Sequence, residues 1–264
     1  MIVTIQHSQY LPALEALERM ASADAVVLLD DAPFERGSEQ NRTMVRVDAA
    51  AKWLTVPVSR RSPGEGNSQP GERLLDKRVD WSEDFGKKHF LTLRHAYAEA
   101  EYFRDYAGEL RRIYETKWER LVGLNDALLG FLRTAYGIRT PIIRTSTLGV
   151  GGSPSWLGTA RLLDICQAVG ADALLVGPGA QHGRLDEDAF ERAGVGIEVQ
   201  SFTHPQYMQC GRPPFTPGLS SVDMLFNCGL LARELLLEAS GPIPLPGPAP
   251  EARAEARAAL RVVP

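Results

Sequence analysis

The sequence predicts an α/β fold: a mainly parallel sheet of the Rossmann-like three-layer type, carrying a helical insertion. Three observations predict it. Strand-like and helix-like segments alternate at both ends of the chain, which is the pattern of βαβ units. Within "ADAVVLLDD" at 23–31, the stretch 25–29 ("AVVLL") is apolar without a break, as in a strand covered on both faces. From about residue 81 to 137, apolar and aromatic positions return at helical spacing, including Ile113, Trp118, Leu121, Leu124, Leu128, Phe131 and Leu132.

The elements follow in order. Ile2 to Ile5 reads as a strand and Leu14 to Met20 as a short helix. After "ADAVVLLDD", the segments "TMVRVD" and "KWLTVPVS" alternate in polarity, which predicts a hairpin with one exposed face. Residues 60–72 are rich in Gly, Pro, Ser and Asn and read as a long loop. Beyond the helical stretch, "TPIIRTS" reads as a strand and "PSWLGTARLLDICQAVG" as a helix closed by Gly170. "ADALLVG" and "IEVQSF" are strands on either side of the helix "DEDAFERAG". "SSVDMLFNCGLLARELLLEA" reads as one long helix. One domain therefore spans 1–240, and the Pro- and Ala-rich residues 241–264 read as a flexible tail.

Composition narrows the function. The chain has 264 residues and a net charge of -4, which argues against a general nucleic-acid binder. It has no apolar run long enough for a membrane span, and its N-terminus lacks the features of a secretory signal. Cys166, Cys210 and Cys228 are odd in number and fit neither a disulfide framework nor a zinc motif. A reducing cytoplasm is expected. The five histidines form no ligand-spaced pair, so no metal site is expected. No Walker or GxGxxG pattern occurs, so no cofactor is expected either.

In open α/β sheets, ligands bind beyond the carboxyl ends of the strands. His7, Asp30 and Asp31, Ser146, the stretch Gly177-Pro178-Gly179 with Gln181 and His182, and His204 all follow predicted strands. His7 suits a general base, since a histidine titrates near neutrality. Tyr10 and Gln9 beside it can bind polar groups. Asp30 and Asp31 point to opposite faces of an extended chain, so one of them can hold an ammonium or orient His7. Arg42 offers a planar fork for a carboxylate or phosphate, and Asn41 both donates and accepts. Backbone amides at 177–180 can meet an anion or oxyanion. His204 precedes a proline and is expected to shape a pocket wall. Asp223 and Asn227 share a helix face one turn apart, with Asp223 also placed to cap the helix. Cys166 shares an apolar helix face with Leu162 and Val169, which reads as core rather than nucleophile.

These segments also resemble the WbqC-like family. The matching pieces are "IQHSQYLP", "ADAVVLLDDAPFERGSEQNR", "WLTVPV", "HAYAEAEYF", "LLDICQAVGADALLVGPGA", "FERAGVGIEVQSFTHPQY" and "SSVDMLFNCG", in order over roughly 1–230. Two departures stand out. Ala13 occupies a place where the family usually carries a large aromatic, and "QHGRL" replaces a tyrosine-leucine pair with Arg184-Leu185. The resemblance implies a transferase in polysaccharide or natural-product biosynthesis that acylates an amine. The expected donor is an activated ester or thioester of an acyl or aminoacyl group, carried in one version by a carrier protein. A small-molecule amine is the expected acceptor. Two other readings stay open: a nucleotide- or nucleotide-sugar-binding transferase, and a non-catalytic protein that binds a small molecule or a carrier protein.

Overall fold

The computed structural model describes residues 1–48, 50–59, 72–150, 158–178, 185–211 and 213–240. The predicted loop at 60–72, apart from Glu72, lies outside them, as do Gly179, Gln181, His182 and the tail at 241–264.

The alternation of the sequence becomes a five-stranded sheet in which every pair is parallel. Its strands are β1 (Ile2–His7), β2 (Ala25–Leu29), β5 (Ile142–Arg144), β6 (Ala173–Val176) and β7 (Gly196–Val199). They lie in the order β5-β2-β1-β6-β7. The chain thus builds outward from β1 in one direction, then returns and builds outward in the other. The reversal falls between β1 and β6, and open sheets of this type form a ligand crevice beyond the carboxyl ends at such a point. The remaining strands, β3 (Arg42–Val47) and β4 (Ala50–Thr55), form a separate antiparallel hairpin.

Helices cover both sheet faces. Val3, Ala25 and Leu174 pack against Leu162 and Cys166 of α6 (Thr159–Val169) and Phe190 of α7 (Glu187–Arg192). The opposite side chains, Val26 and Leu28, join Leu14, Leu17 and Met20 of α1 (Leu14–Ser22) in the largest core. That core extends into the insertion, which is three helices: α2 (Phe85–Tyr97), α3 (Phe103–Glu115) and α4 (Leu121–Ala135). Burying one such leucine is worth about 2 kcal/mol, so this shared core ties insertion to sheet. A short α5 (Thr145–Leu148) follows β5. Gly170 closes α6 in the left-handed conformation, at φ 68°.

The long C-terminal helix expected from 220–239 is instead two helices, α8 (Val222–Cys228) and α9 (Leu231–Glu238). The break is Gly229, at φ 57° and ψ -127°, outside any helical region. A side chain there would strike the Tyr102 ring, with a Cβ 2.5 Å from it. Apolar periodicity continues through the break, so it carries no sign of the change in direction.

Candidate functional site

The predicted residues separate into three places. The first is the carboxyl end of the sheet at the strand-order reversal, the place where such folds form their crevice. His7 ends β1 and Gly177 follows β6, one on each strand bordering the reversal. Gly177 faces the Arg19 guanidinium, which would lie 3.0 Å from a Cβ there. Asp30 and Asp31 lie beside this crevice, but neither reaches His7. Asp30 is fully buried and accepts from the Ser146 N–H (2.9 Å) and the Ser146 hydroxyl (2.6 Å), with the Thr145 hydroxyl oxygen 3.1 Å away. Asp31 accepts from Thr145 (2.6 Å) and from the buried Arg161 (2.6 Å). The two carboxylates hold the start of α5 and join it to α6.

The His7 ring is set by Gln40 instead. The Gln40 side-chain oxygen accepts the Glu35 N–H at 2.8 Å, so its amide nitrogen faces the other way. That nitrogen donates to the Pro33 carbonyl at 3.3 Å and approaches His7 Nδ1 at 3.5 Å. Nδ1 is therefore the accepting nitrogen, and a neutral ring carries its proton on Nε2. Burial lowers the His7 pKa, opposed by the charges of Glu35 and Glu39. In this tautomer Nε2 carries the ring's only N–H, and the remaining lone pair, on Nδ1, faces the Gln40 amide.

The second place is a cavity of about 240 Å³ on the far side of the "QYLP" turn. Its floor is Gln9 to Ala16, one wall is Thr43, Met44 and Trp53 of the hairpin, and the other runs from Phe202 and His204 to Ser220. Leu11 makes the turn in the left-handed region, at φ 46°, a conformation that strains a leucine. Its carbonyl accepts from the hydroxyls of Thr43 (2.9 Å) and Ser220 (3.0 Å), which fixes both walls to the floor. Ala13 lies on that floor.

Two groups bear on the chemistry here, His204 in the lining and Arg42 beside it. Arg42 does not itself line the cavity: its guanidinium stacks 4.1 Å from the centre of the ring of Trp53, a wall residue that stands 46% exposed. Among the described residues no carboxylate pairs with Arg42, and its buried Nε has no hydrogen-bond partner. His204 is fixed by its neighbours Phe202, Tyr207 and Phe215, and its Nδ1 lies 2.9 Å from the Pro205 carbonyl. A carbonyl can only accept, so Nδ1 holds the proton and a neutral His204 keeps its lone pair on Nε2. Glu39 completes the rim.

Tyr10 lines this cavity but its hydroxyl faces the insertion. It bonds to His89 Nδ1 at 2.8 Å and to the Tyr114 hydroxyl, all three groups being buried. Burial lowers the His89 pKa to about 4. Asn41 is likewise turned inward, donating to the Val56 carbonyl at 2.8 Å.

The third place is structural. Asp223 is fully buried and accepts from Tyr207 (2.7 Å) and Gln209 (2.8 Å) through one oxygen. Asn227 accepts the Cys210 N–H at 2.8 Å. Together they fasten the segment carrying His204 onto α8. Asp223 makes no cap bond to α8; the burial that raises its pKa is relieved by these donors. Burial also raises all three thiols, Cys166 to about 12 and Cys228 to about 11, so none is primed as a nucleophile.

Sequence reasoning missed Trp53, Glu39, Gln40, His89 and Tyr114. Only Trp53 left a signal, as a large aromatic on the polar face of an alternating strand. The others matter through contacts between distant segments.

The WbqC-like protein family matches residues 7–234, from the end of β1 to the middle of α9. The chain belongs to the WbqC-like protein family. The same span covers the crevice, the cavity and the insertion. A relative in Mycobacterium tuberculosis, described as the uncharacterized protein Rv1507c, is 28% identical over 237 residues. The match takes in 89% of this chain and 96% of that protein. No solved structure matches. Among the described residues no helix is long and apolar enough to cross a membrane, and no cluster of His, Cys, Asp and Glu could hold a metal ion.

Proposed function

We propose that this WbqC-like protein is a transferase that moves a small acyl or aminoacyl group from an activated ester or thioester onto an amine. The cavity beside the "QYLP" turn carries the reading. At about 240 Å³ it is smaller than the usual cleft for a drug-sized ligand and suits a group the size of an amino acid. Arg42, stacked on the wall residue Trp53 at the edge of the cavity, takes an anionic part of donor or acceptor. Glu39 favours an ammonium at the rim. His204 Nε2 takes the proton that the amine loses as its nitrogen bonds to the acyl carbon. The bond from that carbon to the ester oxygen or thioester sulfur breaks, and the released group collects a proton. This assigns the general base to His204, with His7 as a hydrogen-bond donor in the adjoining crevice. The raised thiols favour direct transfer over a cysteinyl intermediate. A carrier-borne donor and a biosynthetic setting belong to the same proposal.

Thermal unfolding with glycyl and acetyl thioesters of N-acetylcysteamine tests it. The thioesters should raise the melting temperature, and Arg42→Ala or Trp53→Ala should remove the rise. With an amino sugar present, mass spectrometry should detect the amide. Stabilisation by ATP or UDP-sugars, and none by thioesters, would favour a second reading. That reading is a nucleotide-binding transferase, and the strand order β5-β2-β1-β6-β7 supports it, because its reversal is where such folds hold nucleotides.

A further inference from the structure

The insertion carries a second cavity, of about 470 Å³, between α2 and α3. It lies on the other side of the Tyr10–His89–Tyr114 chain, and Tyr114 forms part of its lining. The two helices approach closely because residue 86 is glycine: a Cβ there would come within 2.3 Å of the Tyr114 carbonyl oxygen.

Its lining combines two chemistries. Trp81, Phe90 and Leu91 provide a flat apolar surface. Trp81 is held in place by its own N–H, which donates to the Trp118 carbonyl at 2.8 Å, and by Phe85 at a ring distance of 4.6 Å. Around that surface stand Lys87, Arg94, Arg111 and Lys117. Arg111 is engaged by Glu115 at 2.7 Å. Asp84, the other acid in the lining, accepts the Lys87 N–H as the α2 cap. Among the described residues no carboxylate pairs with Lys87, Arg94 or Lys117. The Lys117 ammonium instead sits 5.5 Å above the Trp81 ring.

From this arrangement we infer that the α2–α3 cavity is a second binding site, for a small anion borne on an aromatic or flat apolar body. The ring lies against Trp81, Phe90 and Leu91, and the anion meets Arg94, Lys117 and Lys87. The site stands independently of the transferase reading, since it shares no charged residue with the first cavity.

Isothermal titration of the full chain with 2-naphthoate tests the site, using the exposed charge reversals Arg94→Glu and Lys117→Glu together and, separately, Trp53→Ala. One saturable site is expected, weakened at least about tenfold by the double reversal and unchanged by Trp53→Ala. Binding that ignores the double reversal, binding lost in Trp53→Ala, or no saturable binding would each overturn the inference.

Discussion

His7 and His204 stand on opposite sides of the "QYLP" turn, and their rings are set in opposite senses. Gln40 presents an N–H to His7 Nδ1, whereas the Pro205 carbonyl presents an oxygen to His204 Nδ1. The first ring is left to donate through Nε2, the second to accept. The surroundings differ as well. The carboxylates near His7 are already committed to α5 and Arg161, while beside the cavity at His204 an arginine that no described carboxylate neutralises stacks on the wall residue Trp53. A residue's nearest hydrogen-bond partner, more than its type or its place after a strand, decides the chemistry it can do.

The largest expected effect separates the two histidines. His204→Gln should slow amide formation by roughly 10²–10⁴-fold, the usual worth of a general base, while His7→Gln should cost about tenfold. Steady-state rates on the thioester substrates measure both, and the reverse ranking would return the base to His7. Next, Asp30→Ala should destabilise the fold by about 3 kcal/mol in urea unfolding, because the Ser146 N–H and the Ser146 hydroxyl lose their acceptor. A cost below about 1 kcal/mol would mean that this carboxylate is available for catalysis after all.

A third effect comes from the buried chain behind the cavity. Burial and, next, the Lys88 charge lower the His89 pKa from 6.5 to about 4. Between these values the unfolded chain binds the proton and the folded chain does not. Stability should therefore fall as pH drops from about 6.5 to 4, by at most about 3 kcal/mol, and level off below. His89→Gln should flatten that part of the profile; an unchanged slope would assign it to other groups. The smallest effect is Cys166→Ala, which should leave transfer intact and cost about 1 kcal/mol of core packing. Abolished activity with the fold retained would bring back a cysteinyl intermediate.

Much of the fold could be read in the sequence because its signals are local. The uninterrupted "AVVLL" became the second strand of the sheet, the alternating segments became the hairpin, and Gly170 ended its helix as read. Strand order was not legible, since it depends on which apolar runs find each other across more than a hundred residues. The break at Gly229 was hidden for the same reason: the ring that occupies the space above it belongs to Tyr102. The site shows a similar division. Gln9, Tyr10 and His204 were singled out by position and do share one cavity. Asp30, Asp31, Asn41, Asp223 and Asn227 were singled out too, but their bonds run to backbone and neighbouring side chains. Polar type alone cannot distinguish a group that awaits a ligand from one that already has its partners.

The Leu11 carbonyl has a consequence for how the protein is made. Its two hydroxyl partners are separated by more than 170 positions, and β1 itself pairs with β6 through Ile2 and Val3. On a ribosome, the first strand emerges with one edge unpaired and its turn unsupported. Both are satisfied only when nearly the whole domain has been synthesised. Such late closure slows folding and leaves an apolar edge open to other chains in the meantime. β1 thus stays incompletely paired until late in synthesis, and truncated products lacking the last two helices should aggregate rather than accumulate as a smaller folded unit.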